Sequence, residues 1–365
     1  MPQVQRNLDY LELMDKLPFM PWYVDQFINY KLPDKSPTTL LEYIRDYEIF
    51  FNYLIAEGIS SADKITDISL ETLEKLPLES ITGYKHYLSI RNVSKKKDSL
   101  PISKSTISRR ISSLRSLFSY LSQFAEDENL YPLLKRNVMA KIPVQKMKKP
   151  EETASRLSGK LLQENEIDEF IEFIANSYPS AIGDKKRALV SYYQNKVRDA
   201  CIVSLILHSG LRVSEVVNLN LNDIDMTINT VYVFRKGGTD EAFKTPVNFR
   251  KEVCPALSTY LSIRVQQYKN KKDNAFFLAL PNGKSEGNRM SKRAIQDMII
   301  KYAKAFGKPF LTVHKLRHSF ATDYYLSNDL YKTQSQLGHA SPQTTQIYAH
   351  LTDKTMSEAI DRRNR

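Results

Sequence analysis

Cysteine is nearly absent from this chain: Cys201 and Cys254 are the only two in 365 residues. Both lie in apolar-rich surroundings and neither belongs to a C-x-x-C pattern, which argues against a disulfide framework or a zinc site. They read as buried thiols. Long apolar runs are missing too. No stretch approaches the ~18 residues that a spanning helix needs, and M-P-Q-V-Q-R-N-L-D-Y at the start has no signal-peptide apolar core. The expectation is a cytoplasmic protein with no membrane-spanning segment. A nucleotide-binding loop is also lacking. P-N-G-K-S at 281–285 looks like one, but Leu278 stands where G-x-x-x-x-G-K-S requires its first glycine. Neither a metal nor a nucleotide cofactor is implied.

What remains is a folded, basic chain. Apolar residues make up 42% of it, and 365 residues suffice for two domains with separate cores. Fifty-three lysines and arginines face 41 acidic residues, a net charge of +12, and the pI is near 9.3. That balance favours a polyanionic partner, either nucleic acid or an anionic membrane surface.

The first third reads as a helical bundle. Pro18 and Pro21 punctuate the start of a short apolar helix carrying the only tryptophan, Trp22, whose expected job is packing. Ser36 and Pro37 look like a cap and first turn, and Leu40, Ile44, Tyr47, Phe51 and Leu54 keep helical spacing until Gly58. Shorter helices follow from about Ser69 and from about Leu78 to Arg91. The last helix, from about Ser103 to Phe124, sets Ile107, Ile111, Leu114, Phe118 and Leu121 on one face, with Lys104, Arg109, Arg110 and Arg115 beside them. Interleaved serines add short hydroxyl donors, so this face is a candidate for contact with a DNA backbone; the alternative is a solvated basic face. From Lys135 to Arg156 periodicity is lost in a basic, proline-punctuated stretch, which reads as an extended interdomain linker.

A second domain opens with a helix at Glu164, and another helix from Val197 to His208 leads into S-G-L-R-V-S-E. Gly210 ends that helix, Arg212 can project into a cleft, and Glu215 can hold its guanidinium. Residues 218–247 then read as three short alternating strands with K-G-G-T-D as a hairpin turn, Lys236 at its tip. Between Thr312 and Leu351 lie four of the six histidines. In T-V-H-K-L-R-H a helix places His314 and Arg317 on one face; L-G-H sets His339 before a helix cued by Ser341 or Pro342, and Tyr348 follows nine residues later. Guanidinium and imidazole donors suit the non-bridging oxygens of a phosphodiester under attack, and a phenol can be the attacking group. Each piece alone is as well explained by ordinary packing or surface pairing.

Together, H-K-L-R-H, L-G-H and I-Y-A-H in this order resemble the C-terminal signature of the tyrosine recombinases, or phage integrase family. M-P-W-Y-V and T-T-L-L-E-Y-I-R-D-Y-E-I-F-F extend the likeness to the single-protein Xer type, so that it covers nearly the whole chain. The resemblance implies a mainly α protein. Residues 16–134 would be a SAM-like helical core-binding domain, 135–160 a basic linker, and 161–352 an α+β catalytic domain with a small three-stranded antiparallel sheet. The tail, 353–365, carrying Met356, Ala359 and Ile360, would dock onto a neighbouring protomer. Arg212 and Arg317 would grip the scissile phosphate of double-stranded DNA, and His339 would donate to it. Tyr348 would attack, His314 would handle its proton, and Lys236 would protonate the leaving 5′ oxygen. Lys244 is the reserve acid, because relatives often carry a further basic residue where Gly237, Gly238 and Thr239 stand. The product would be a 3′-phosphotyrosyl link, with rejoining that needs no ATP. The implied setting is a homotetramer on two dif-like sites, resolving chromosome dimers in cell division with the FtsK translocase as activator. A mobile-element integrase or excisionase would share the chemistry, and a non-catalytic DNA-binding regulator would share only the charge.

Overall fold

A computed structural model describes residues 3–90, 101–143, 149–235, 244–267, 274–279, 287–339 and 341–363. The chain divides into two compact units, 2–147 and 148–365.

The first unit is built from helices α1 (Gln3–Lys16), α2 (Trp22–Lys31), α3 (Pro37–Ala56), α4 (Leu70–Glu74), α5 (Leu78–Ile90) and α6 (Lys104–Gln123). Three of them start where a serine hydroxyl can accept from an otherwise unpaired amide: Ser36 from Thr39, Ser69 from Thr72 and Ser103 from Thr106. α3 is the centre. It buries Leu40, Ile44, Tyr47, Phe50, Phe51 and Leu54, against which α1 and α6 lie. Rings fill the middle, with Phe50 edge-on to Tyr84 at 5.0 Å and Phe27 against Tyr120 at 5.4 Å. The Tyr47 hydroxyl donates to the Ser113 carbonyl on α6, so this buried phenol is paired. α1 was not expected, because Leu8 and Leu11 face outward and blur the apolar period. Nor is Trp22 a packing residue: it is 57% exposed and touches the unit mainly edge-on through Tyr23.

The expected linker is largely absorbed into the two units. Val138 and Met139, in a 3₁₀ turn from Val138 to Lys141, are fully buried in the first core together with Leu134. Residues Pro150–Leu157 form helix α7 of the second unit. The basic residues that surround these few apolar anchors conceal the packing from a reading based on period.

The second unit continues with α8 (Glu164–Glu172), α9 (Tyr178–Ile182), α10 (Lys186–Ser209) and α11 (Val213–Asn218). Strands β1 (Ile224–Asp225), β2 (Thr230–Val233) and β3 (Thr245–Asn248) follow, then α12 (Cys254–Gln267), α13 (Lys292–Ala305), α14 (Val313–Leu326), α15 (Leu330–Leu337) and α16 (Pro342–Arg363). The antiparallel sheet runs β1-β2-β3, with Val231 opposite Ile224 on one side and Val247 on the other. The fold is thus mainly α with one small sheet. α10 starts eleven residues before the expected Val197 and is its central rod, buried almost continuously from Arg198 to Ser209, with α12 and α14 against it. It stops at Gly210, whose φ of +69° no side chain adopts cheaply; a Cβ there would also meet the Phe320 ring at 2.4 Å. Cys201 is buried as expected, but Cys254 is only half-buried, its thiol 3.1 Å from Asn229 Oδ1. The hairpin turn 236–240, the loop 281–285 and the side chains of 353–365 lie outside the described residues. No helix among the described residues is long and apolar enough to cross a membrane.

Candidate active site

One buried carboxylate organises the site. Glu215, in the first turn of α11, is 4% exposed and accepts from the Arg212 amide through Oε2 and from Arg212 Nη1 through Oε1, both at 2.8 Å. Arg235, just past the end of β2, reaches the same Oε1 at 3.3 Å, and Arg317 of α14 stands 3.8 Å from Oε2. Three guanidinium groups therefore share one anion, leaving two positive charges in excess. Burying such an excess is costly unless every donor is occupied or an anion arrives.

Backbone carbonyls take further donors, four of the five bonds ending at the C-terminal end of α15. Arg317 donates to the carbonyls of Gly210 and Leu337, Arg235 to those of Gln336 and Leu337, and Arg212 Nη2 to that of Gly338. Gly338 is obligatory in this corner. Its φ is +60°, and a Cβ would lie 2.6 Å from Arg235 Nη1. Gln336 adds a tie of its own, donating to the carbonyls of Ser209 and Asn248. Arg317 is almost wholly buried whereas Arg212 keeps a third of its side chain exposed, so Arg212 offers the more accessible guanidinium. Burial, reinforced by Arg212, brings the Arg317 pKa down to about 10, which leaves it charged at neutral pH.

Beside this cage lie three imidazoles and a phenol. His339 follows Gly338, its Nδ1 3.0 Å from the Thr345 hydroxyl, its ring parallel to that of Tyr348 at 6.2 Å. Tyr348, on α16, is fully buried, and its hydroxyl lies 2.9 Å from His318 Nδ1. His318 in turn meets the ring of His314 edge-on at 4.4 Å, one helical turn back on α14. Burial, and after it the neighbouring imidazole and guanidinium groups, hold His318 and His339 down at about 3, so both are neutral near pH 7 in the free protein. The same causes lower His314, although its ring keeps an exposed edge. Burial raises the Tyr348 phenol well above its ordinary range, against a smaller opposite pull from Arg317 and Arg212. The nucleophile candidate is stored protonated, among groups short of negative charge.

Five of the six residues singled out for chemistry are thereby gathered from α11, α14, α15 and α16; Lys236 lies outside the described residues. Lys244, the reserve acid, is committed to Asp223 at 2.7 Å and sits over the Phe234 ring. Arg235 was missed, its side chain overshadowed by the neighbouring lysine at the expected hairpin tip. His318, to which the motif reading assigns no step, is the imidazole in hydrogen-bond contact with the phenol. His350 is half-buried, two residues beyond Tyr348.

The four cations of α6 do not form a uniformly free basic face. Arg109 makes two hydrogen bonds to buried Asp46, and Arg110 Nε lies 3.5 Å from the same carboxylate. Arg115 donates to the Ile142 carbonyl. Lys104 is exposed, and with Lys85, Ser108, Ser112 and Arg115 it lines a groove of about 430 Å³.

A helical unit with a small sheet, gathering three guanidinium groups on one carboxylate with imidazole and phenol groups beside them, defines an enzyme that handles an anionic phosphoester. The phage integrase family model matches residues 160–355. A tyrosine recombinase XerS of Streptococcus mutans is 40% identical over 361 residues, spanning 96% of this chain and 98% of that one. One from Streptococcus pneumoniae is 38% identical over 362 residues, with the same coverage. Among solved structures, the XerH site-specific recombinase bound to its difH substrate in a pre-cleavage complex covers 93% of this chain and 94% of its own, with a TM-score of 0.61 at 18% identity. The Tn1549 transposon integrase in complex with transposon right-end DNA covers 93% and 98%, with a TM-score of 0.58 at 18% identity. The chain belongs to the phage integrase family, as a tyrosine recombinase that cleaves and rejoins DNA at specific sites.

Proposed function

We propose that Tyr348 is the nucleophile of strand cleavage in double-stranded DNA. Its Oη attacks the scissile phosphorus, the bond from phosphorus to the 5′ oxygen breaks, and a 3′-phosphotyrosyl link with a free 5′ hydroxyl results. Arg212 and Arg317 take the non-bridging oxygens, and neutral His339 donates to the same group, so the two uncompensated positive charges meet the charge that develops in the transition state. Lys236 protonates the leaving oxygen; the commitment of Lys244 to Asp223 favours that assignment. The phosphoester is conserved in the intermediate, so rejoining to a second strand needs no external energy. Lys104 and Arg115 of α6 supply phosphate contacts in the first unit, with Arg109 and Arg110 held in register by Asp46.

The observation that carries this reading is the convergence of Arg212 and Arg317 on Glu215, with His339 and Tyr348 close enough to feel both guanidinium charges, from four separate helices or their ends. The extended likeness to XerS proteins supports resolution of chromosome dimers at a dif-like site, in the cytoplasm, over a mobile-element role. A homotetramer on two sites, with the FtsK translocase as activator and the tail of α16 docked on a neighbouring protomer, completes the proposal. The test is a nicked suicide duplex from the chromosome terminus of the host, read on a denaturing gel. The native chain should form a covalent adduct mapping to residue 348, and Tyr348→Phe should bind the duplex yet form none; an adduct in that variant would remove the nucleophile assignment.

A further inference from the structure

We infer that His318, rather than His314, takes the proton of Tyr348 when the phenol attacks, and returns it when the strand is rejoined. The inference rests on Tyr348 being the nucleophile. Its ground is geometric. The Tyr348 hydroxyl lies in hydrogen-bond contact with His318 Nδ1 at 2.9 Å, and both partners are buried, so the phenol's proton has an acceptor inside the protein. Water is excluded from that contact, with Tyr348 fully covered and His318 8% exposed. His314 is placed to serve as the outlet: its ring meets His318 at 4.4 Å and presents an exposed edge to solvent.

Each step balances. The proton on Oη passes to Nδ1 of an imidazole already carrying hydrogen on Nε2, and the freed electron pair forms the bond to phosphorus. The electrons of the broken ester bond go to the 5′ oxygen, which receives a separate proton from the general acid. In the reverse step the 5′ hydroxyl attacks and gives its proton back to the general acid, now acting as a base, while the departing phenolate recovers its proton from His318.

The surroundings explain why transfer waits for DNA. His318 faces His314, Lys315 and Arg317 on its own helix and His339 across from it, and these groups oppose a positive charge on its ring. A phosphodiester between Arg212 and Arg317 brings the negative charge that offsets them, making His318 a better proton acceptor only when substrate is in place. Tyrosine activation is thereby tied to occupancy of the phosphate site.

The test uses the full chain and a suicide duplex in two forms, one with the ordinary scissile ester and one with sulfur replacing the bridging 5′ oxygen, a leaving group that needs no proton. His318→Asn keeps an acceptor atom but takes up no proton. It should bind DNA normally and form adduct about 10²- to 10⁴-fold more slowly on both substrates. Lys236→Ala should be slow on the ester and recover on the sulfur substrate, marking the acid step as separate. Cleavage by His318→Asn at the native rate, or its recovery by sulfur, overturns the inference and leaves the nucleophile assignment standing. Adduct formation by Tyr348→Phe would remove both. Should His318→Asn fail to fold, imidazole ¹⁵N spectra of the native chain decide: His318 must carry its hydrogen on Nε2, and a hydrogen on Nδ1 would make it a donor to the phenol, unable to accept its proton.

Discussion

Each unit buries one carboxylate that gathers arginines, and the two are settled differently. Asp46 in the first unit holds Arg109 and Arg110, and Arg109 keeps 43% of its side chain in water. Glu215 in the second holds Arg212, Arg235 and Arg317, of which Arg317 is 2% exposed. In the first unit Glu42, 3.7 Å from Arg109, adds a second acid, so two carboxylates face two arginines and the set serves the architecture of α3 and α6. In the second a surplus of positive charge is kept inside, where low polarity makes it expensive at rest and effective when an anion enters. The proposed affinity for phosphate in the site is thus paired with a standing cost in stability.

The strongest way to break that contrast is Glu215→Ala. Removing the shared anion from three guanidinium groups should cost the second unit about 3–5 kcal/mol and abolish adduct formation, while leaving the first unit intact. Hydrogen exchange followed separately in α3 and α14 would show it, and equal protection before and after in α14 would end the idea of Glu215 as a hub. Asp46→Ala should weigh less, about 1–3 kcal/mol, because water can take over Arg109. Exchange should then quicken in α3 and α6, and a loss confined to the second unit would contradict the comparison.

Acid sharpens the difference further. His318 has its pKa depressed to about 3 in the folded chain against an ordinary 6.5, so within that window the unfolded chain binds the extra proton and folding loses by linkage. Stability from this residue is complete above pH 6.5 and falls by about 1.4 kcal/mol for each pH unit below it until pH 3 is approached. The second unit should open first on acidification, and His318→Asn should flatten its slope; an unaltered slope would show that some other group governs acid unfolding. The smallest effect belongs to Trp22→Ser. The indole is more than half exposed, so the change in melting should stay within about 0.5 kcal/mol, and a loss several times larger would mean it is covered in solution.

The same contrast explains what the sequence disclosed. Caps and helical spacing are local, which is why Ser36, Ser69 and Ser103 could be read directly, and H-K-L-R-H could be placed on one helix. The convergence on Glu215 is not local: Arg235 joins it from the far end of a strand, and no spacing rule connects position 235 with Gly338. Whether His314 or His318 meets the phenol depends on how α14 is rotated against α16, a matter of packing rather than pattern. Trp22 misled because its size suggested burial, while α1 beside it was hidden by leucines facing water.

The opening helix of the second unit also has a bearing on where that unit can be cut. α7 lies along α16, and Ala154 and Leu157 share an apolar cluster with Tyr348 and Leu351. First and last helices meet like the halves of a clasp, and Tyr348 sits under the join. A fragment begun at residue 161, where motif boundaries suggest it, would leave that clasp open and bare the pocket it protects.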